Sequence, residues 1–318
     1  MIDAWLDSPV SLTLVAGLFG LLIGSFLNVV IHRLPRMIER GNVSGVVDWF
    51  EDADEYVDRV ASHVDAPKRT ALKKQLRAAE PAFEGLVAIL PDENLMRPGS
   101  RCGSCGHQIG ALENIPLVSY LALRGRCRAC KAAISLRYPA IELLTGILFG
   151  AVAWRFGATF TTLASLVLVA GLVALTFIDA DAMLLPDAIT LPLLWAGLLW
   201  STDGGFVSLS DSVWGAAAGY LSLWIVFWGF KLMTGKEGFG YGDFKLLAAL
   251  GAWFGWKALL PIILMSAGVG AVVGIALILT GRRDVATKFP FGVYLAPAGL
   301  LMLFAGRRVI EFILPTLA

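Results

Sequence analysis

Long runs of apolar residues constrain this chain more than any other feature of its sequence. Of its 318 residues, 57% are hydrophobic and only 16% are charged, and the mean hydropathy is +0.72. A soluble domain would carry about a quarter of charged residues, and about 20 consecutive apolar residues are enough to span a bilayer. The sequence therefore predicts an all-α polytopic membrane protein whose helices contact the lipid bilayer.

The positions of the apolar segments predict about eight transmembrane helices. The first span runs from about Ser11 to Ile31 and lies in a segment, residues 1–31, that lacks the basic region of a cleaved signal peptide. A polar loop at residues 32–137 follows, and residues 138–318 form a second, multi-helix membrane domain. Its seven spans are predicted at residues 138–156, 159–178, 184–201, 211–233, 244–256, 257–280 and 291–314. No internal repeat is evident.

Basic residues predict the orientation of these helices. All but four of the 26 Lys and Arg residues lie on the side that holds the polar loop; the four on the far side are Arg155, Lys257, Arg307 and Arg308. Because Lys and Arg favour the cytoplasmic side of a membrane, we expect the loop in the cytoplasm. The net charge of +1 gives no reason to expect a nucleic-acid partner.

The polar loop has two parts of different character. Residues 41–95 mix acidic and basic side chains, and Val57, Val60, Ala61 and Val64 recur at helical spacing. This pattern predicts short amphipathic helices in a solvated insert. Residues 97–131 form the second part and contain the cysteines of the chain.

The four cysteines stand in two pairs, Cys102-Gly-Ser-Cys105 and Cys127-Arg-Ala-Cys130. Two such knuckles match a tetrahedral zinc site with four thiolate ligands. Two disulfides or redox-active thiols are the alternatives, but a cytoplasmic location disfavours stable disulfides. His107 is a further candidate ligand in place of one cysteine. We expect one structural zinc ion that stabilises the fold of this loop.

Two polar interruptions of the apolar region carry aspartates: Thr176-Phe-Ile-Asp-Ala-Asp181 and Gly240-Tyr-Gly-Asp243. A carboxylate beside a membrane span is costly without a partner or a wet cavity, which makes it a functional candidate. Two carboxyl groups that share a proton can supply the base and the acid of an aspartyl protease. Asp179 and Asp243 are the candidate pair, Asp181 competes for the first position, and Asp187 has the alternative role of a helix N-cap.

Several motifs together resemble one known family, the type IV prepilin leader peptidases, which are membrane aspartyl proteases of the Gly-x-Gly-Asp type. Besides the two cysteine knuckles, the resemblance rests on the segments Gly24–Pro35, Glu113–Tyr120, Ile134–Pro139, Glu142–Gly146, Ile178–Asp181, Leu184–Asp187, Gly235–Asp243 and Phe289–Gly292. It covers most of the chain outside residues 41–95, which look longer and more acidic than is usual in this family.

This resemblance implies an enzyme of the bacterial inner membrane whose active site faces the cytoplasm. Members remove the basic leader of type IV prepilins or type II secretion pseudopilins after a glycine. They then methylate the new N-terminus with S-adenosylmethionine. The family's catalytic aspartates fall on Asp179 and Asp243, which makes residues 138–318 the catalytic domain. Proteins that assemble the pilus or the secretion system are further partners to expect. Methyltransferase residues do not carry over, and Glu142 and Gly24–Pro35 are only candidates.

Two other function classes fit parts of the sequence. A proton-coupled transporter would also use carboxylates within the membrane, and paired inverted repeats would favour that reading. A non-enzymatic, zinc-bearing membrane scaffold would recruit partners through the polar loop. Aspartates that could be replaced without loss of function would favour the scaffold.

Overall fold

The structure is a computed structural model that describes residues 8–235, 240–280 and 290–315. Helices α1 to α4 are Pro9–Glu51, Ala53–Val60, Ala66–Ile89 and Val118–Ala122. Helices α5 to α8 are Arg137–Phe156, Phe160–Ala182, Asp187–Thr202 and Leu209–Thr234. Helices α9 to α11 are Tyr241–Phe254, Leu259–Leu279 and Gly292–Ile313. Since no β-strand occurs in these ranges, the predicted all-α class is confirmed.

Six helices in the described ranges are long and apolar enough to cross a membrane: α1, α5, α6, α8, α11, and α10 together with the turn that precedes it. The spans predicted at 184–201 and 244–256 exist as helices α7 and α9, but these have only 16 and 14 residues. At 1.5 Å per residue they are about 24 and 21 Å long, less than the roughly 30 Å of a hydrocarbon core. The predicted count of eight membrane-crossing helices is therefore not confirmed.

Helix α1 continues well beyond the predicted end of the first span. It remains helical through Pro35 to Glu51, and its polar second half belongs to a separate compact unit, residues 32–99. Within that unit the Arg33 guanidinium donates to the carbonyl of Asn94 at 2.8 Å and lies 3.8 Å from the Glu93 carboxylate. Arg40 donates to the carbonyl of Leu90 at 2.9 Å. These contacts stabilise a helical continuation that hydropathy alone does not predict.

The predicted amphipathic helices of the insert correspond to α2 and α3. Val57 is buried, as its place in the helical pattern suggests, whereas Val60 is half exposed. Asp58 accepts from Lys73 at 2.6 Å, and the rings of Phe50 and Phe83 are 5.5 Å apart between centroids. The insert is thus held by ion pairs and a few aromatic contacts.

The other compact unit consists of the residues before 32 and those from 100 onward, and α9 lies at its centre. Every residue of α9 from Leu246 to Phe254 is buried, and α9 packs mainly against α7 and α8. A methyl group at Gly215 of α8 would overlap the carbonyl oxygen of Gly251, and one at Gly219 would lie 2.6 Å from the carbonyl oxygen of Leu247. Small residues let membrane helices approach this closely.

The segment Gly24–Asn28 contributes to helix packing in the same unit. A methyl group at Gly24 would lie 2.7 Å from the Cα atom of Glu142 in α5. The Asn28 amide donates to the carbonyl of Tyr138 at 3.1 Å, in the first turn of α5. These contacts give the motif a structural role at the interface of α1 and α5.

The close contact of α8 with α9 predicts that Gly215→Ala destabilises the protein. Because its methyl group meets backbone atoms that have no free rotation, we expect a loss of about 1–3 kcal/mol. The control is Gly229→Ala in the same helix, where no atom lies within 4 Å of the added carbon. Thermal unfolding in detergent should show a lower midpoint for Gly215→Ala only; equal midpoints for the two variants would contradict the packing.

Candidate functional site

The ends of four helices are joined by contacts around Asp179. Helix α6 ends at Ala182, the next residue Met183 stops the helix with a φ of 51°, and Pro186 immediately precedes α7. Pro186 disfavours helical backbone at Leu185, so residues 183–186 form a break. The first turns of α9 and α11 complete the group, through the side-chain contacts described next.

Asp179 lies in the last turn of α6 with only 4% of its surface exposed. Its Oδ2 atom accepts a hydrogen bond from the backbone N–H of Val293 at 2.9 Å. That N–H belongs to the first turn of α11, where backbone donors have no partner within the helix. Asp179 thus serves as the side-chain acceptor at the start of another helix.

Asp243 is the third residue of α9 and is 6% exposed. Its Oδ2 atom accepts from the N–H of Gly240 at 3.1 Å, while its buried Oδ1 atom has no hydrogen-bond partner in the described structure. A buried carboxylate oxygen usually has a partner, so this atom is suited to a water molecule or a substrate group. Asp179 is close enough to Asp243 for the two carboxylates to repel each other electrostatically. The structure therefore brings the two candidate aspartates near each other.

The other two aspartates of these motifs have different partners. Both carboxylate oxygens of Asp181 accept from the Arg137 guanidinium, at 2.6 and 2.7 Å. Both oxygens of Asp187 accept from the Lys245 ammonium, also at 2.6 and 2.7 Å. The N-cap of α7 is Pro186 and not Asp187, so the alternative role of Asp187 as an N-cap is wrong.

Two glycines and one leucine at this site were missed as site residues by the sequence analysis. A methyl group at Gly292 would lie 2.9 Å from Asp179 Oδ2 and 2.9 Å from the Leu185 side chain. A methyl group at Gly242 would lie 2.7 Å from Leu185 Cβ. The motifs contain both glycines, but only the packing explains them. Phe289, like Lys236–Phe239 and residues 281–288 with their three basic side chains, lies outside the described residues.

The four cysteines form a cluster that could hold a metal ion. Their Sγ atoms all lie within 4.8 Å of one another, and none of the four forms a disulfide. The Sγ atoms of Cys102 and Cys130 are 3.8 Å apart. A tetrahedral zinc ion with bonds of about 2.3 Å requires sulfur separations of about 3.8 Å, so the arrangement fits such an ion.

The two knuckles share one backbone conformation. In each, the N–H of the first cysteine donates at 2.8 Å to the carbonyl five residues later. The residue after each second cysteine has positive φ, 72° at Gly106 and 61° at Lys131. Residues 101–109 and 126–134 both read Arg-Cys-x-x-Cys-x-x-x-Ile. This is a short internal repeat, and the expectation that the chain has none is wrong.

Hydrogen bonds within the knuckles shift the pKa values of two cysteine thiols in opposite directions. The backbone N–H groups of Ser104 and Cys105 lower the pKa of the Cys102 thiol to about 6, which favours the metal-binding thiolate. The backbone of His107 lowers the pKa of Cys105, but hydrogen bonds with Cys130 and the other sulfurs, together with burial, raise it to about 11. A divalent cation would let all four sulfurs be thiolates together.

Glu113 connects the two knuckles outside the sulfur cluster. Its carboxylate lies 3.1 Å from His107 Nε2 and accepts from Arg128 at 3.2 Å, and these hydrogen bonds hold its pKa below the usual range. His107 is thus engaged with Glu113, and the four sulfurs cluster without it.

Glu142, a candidate cofactor residue, is buried in α5 and already engaged. Its carboxylate accepts from the backbone N–H of Leu117 at 2.9 Å. Leu117 has a positive φ of 57° and lies between the two knuckles. Glu142 therefore fixes the loop between the knuckles to the membrane helices.

Comparison with known proteins assigns both halves of the chain. Residues 18–156 match the bacterial peptidase A24 N-terminal domain, and residues 166–275 match the type IV leader peptidase family. The cysteine knuckles lie in the first region, and Asp179 and Asp243 lie in the second. No solved structure matches the chain.

Similar proteins in three bacteria carry the name prepilin leader peptidase/N-methyltransferase. The protein of Aeromonas hydrophila is 52% identical over 93% of this chain and 92% of its own length. That of Stutzerimonas stutzeri is 49% identical over 95% and 94%, and that of Neisseria gonorrhoeae 46% over 97% and 96%. With near-complete coverage at this identity and both domain models matched in order, the chain belongs to the type IV leader peptidase family.

Proposed function

We propose that this protein is a membrane aspartyl endopeptidase that removes the leader from type IV prepilins or type II secretion pseudopilins after a glycine. The observation that carries this proposal is the pairing of two buried carboxylates, Asp179 and Asp243, one of which has an oxygen with no hydrogen-bond partner among the described residues. The names of the similar proteins supply the substrate class.

Two neighbouring carboxyl groups can act as one unit that shares a proton. A water molecule bound between them loses a proton to the ionised carboxylate as its oxygen attacks the scissile carbonyl carbon. The other carboxyl group gives its proton to the carbonyl oxygen. The tetrahedral intermediate then breaks at the C–N bond: the carboxyl group that took the water proton gives it to the leaving amine, and a hydroxyl group of the intermediate returns its proton to the other carboxylate. The leader departs with a free carboxyl group. Oδ1 of Asp243, which is buried and has no partner in the part of the chain that the structure describes, is the atom suited to hold this water.

Partner choice supports Asp179 over Asp181 as the first member. Asp181 is about 40% exposed and makes a bidentate ion pair with Arg137, whose guanidinium also lies over the ring of Phe177. The position of Asp181 next to Arg137 stabilises the end of α6. Asp179, two residues earlier, is buried and shares its surroundings with Asp243.

The position of the pair at helix ends supports cleavage at the membrane surface. A substrate whose apolar segment lies in the bilayer would present its leader to the cytoplasm, where positive residues of the enzyme concentrate. We place the protein in the bacterial inner membrane with this site on the cytoplasmic side. Proteins that assemble pili or the secretion system are the expected neighbours.

The similar proteins are also named N-methyltransferases, and we propose the same second reaction here. S-adenosylmethionine, when bound, would supply the methyl group that the new terminal amine takes up. The hydrogen bond that Glu142 accepts from the N–H of Leu117 favours a structural role for this carboxylate. We assign no residue to the methyl donor.

We propose that the four cysteines bind one structural zinc ion. The ion would join the two knuckles, and no protein ligand position remains for substrate. Glu113 and Glu142 then connect this zinc-bound loop within itself and to α5. The contribution of the metal is thus to hold residues 97–131 in shape, not to activate water.

Replacement of either paired aspartate should abolish cleavage. Asp179→Asn and Asp243→Asn remove the shared proton, so we expect at least about a thousandfold loss of kcat with the protein still in the membrane. Asp181→Asn is the matched control and should keep activity within about tenfold, because it only breaks an exposed ion pair. Electrophoresis of a purified prepilin would measure cleavage.

Retained cleavage by Asp179→Asn would move the assignment to Asp181. Full biological activity of both paired variants would favour the non-enzymatic scaffold instead. Proton-coupled uptake without any cleavage would favour the transporter.

Elemental analysis of purified protein should give one zinc ion per chain. Cys127→Ser removes the most buried ligand and should lower the zinc content and increase proteolysis of residues 97–131. Ser104→Ala, within a knuckle but not a ligand, should leave the zinc content unchanged. Protein that contains no metal and four titratable thiols would contradict the site.

Incubation of a prepilin with purified enzyme, with and without S-adenosylmethionine, tests both reactions. Mass spectrometry should show cleavage after a glycine in both samples and one added methyl group only with the donor. A cleaved, unmethylated product in both samples would reject the methyltransferase proposal and leave the peptidase intact.

A further inference from the structure

An ion pair between Asp187 and Lys245 lies close to the proposed catalytic aspartates and has no part in their chemistry. Lys245 follows Asp243 by two residues in α9, and Asp187 is the first residue of α7. The ammonium of Lys245 contacts both oxygens of Asp187, at 2.6 and 2.7 Å. This bond therefore joins the start of α9, which carries Asp243, to the segment that follows the helix of Asp179.

Leu185 makes a second connection across the same gap. It is buried at 7% exposure and packs so closely on Gly242 and Gly292 that a methyl group at either would meet it at 2.7 or 2.9 Å. Gly242 precedes Asp243. Gly292 precedes Val293, whose N–H binds Asp179. The segment between α6 and α7 is thus in contact with the neighbours of both aspartates.

The two connections oppose opposite movements of the segments that they join. Contact of Leu185 with Gly242 sets a minimum separation of the segments, because the side chain cannot be compressed into the backbone. Such contact does not prevent them from moving apart. An ion pair with two short N–O contacts opposes that separation.

We propose that Asp187 and Lys245 are a positioning pair that holds the start of α9 against the segment after α6 and so fixes Asp243 relative to Asp179. This inference rests on the proposed peptidase function. Neither residue contacts the reacting atoms; the pair acts through the backbone of the two helices. Displacement of a catalytic group by 1 Å can cost about a hundredfold in rate. By contrast, an exposed ion pair changes the free energy of unfolding only slightly.

The exposure of the pair makes this role separable from stability. The side chain of Lys245 is 28% exposed and that of Asp187 is 55% exposed, and ion pairs in contact with solvent contribute little to folding. Breaking the pair should therefore leave the thermal unfolding midpoint nearly unchanged while kcat falls.

The test compares Asp187→Asn, Lys245→Met and the double variant with the unaltered enzyme on one purified prepilin. Each single variant should lose about ten- to a hundredfold in kcat with KM within about twofold, since positioning and not binding is lost. The double variant should be no worse than either single one, because the two residues act as a unit. Lys245→Arg keeps a charge that can pair with Asp187 and should recover most of kcat.

The control is another exposed ion pair, Arg307 with Glu311 at 2.8 Å near the opposite end of α11 from Gly292. Arg307→Met should leave both kcat and KM unchanged. Cleavage by the unaltered enzyme is measured first, so its absence would reject the peptidase proposal by itself.

Three results would overturn the positioning role while leaving the peptidase intact. One is unchanged kcat in both single variants. Another is a raised KM in Lys245→Met that Asp187→Asn does not reproduce, which would mean that Lys245 contacts the substrate. The third is additive loss in the double variant.

Discussion

The rest of the membrane domain depends on two carboxylates buried together among the ends of apolar helices. Desolvation of Asp179 and Asp243 is unfavourable, and each recovers only one or two backbone hydrogen bonds from the first turn of a helix. Helix ends are the places in such a domain where backbone donors are free. The starts of α9 and α11 therefore supply the N–H groups from which the two carboxylates accept.

Around this pair, helices and loops pack so closely that several positions have room only for glycine. Glycines at 242 and 292 allow Leu185 to lie between the segments that carry the aspartates. Glycines at 215 and 219 let α8 lie directly on the backbone of α9. Other helices therefore enclose α9, which has only 14 residues. Their contacts replace the lipid contacts that a full-length span would make.

The two other aspartates of these motifs each have a basic partner of their own. Arg137 binds Asp181 and Lys245 binds Asp187, in each case through both oxygens. In the loop, Glu113 joins His107 to Arg128 and Glu142 holds Leu117. These polar contacts connect a cysteine cluster that fits one metal ion to the helices of the membrane domain.

The sequence by itself determined the all-α membrane class, the family and the residues that could carry chemistry, because hydropathy, cysteine spacing and isolated carboxylates are local signals. It could not separate Asp179 from Asp181, since they stand two positions apart on one helix. It also could not reveal that α7 and α9 are short, that α1 continues to Glu51, or that Leu185 and two glycines complete the site. Only the tertiary structure shows that Asp179 is buried while Asp181 pairs with Arg137, and only it sets these helix ends and contacts. Burial, ion pairing and helix length depend on neighbours that are distant in the chain.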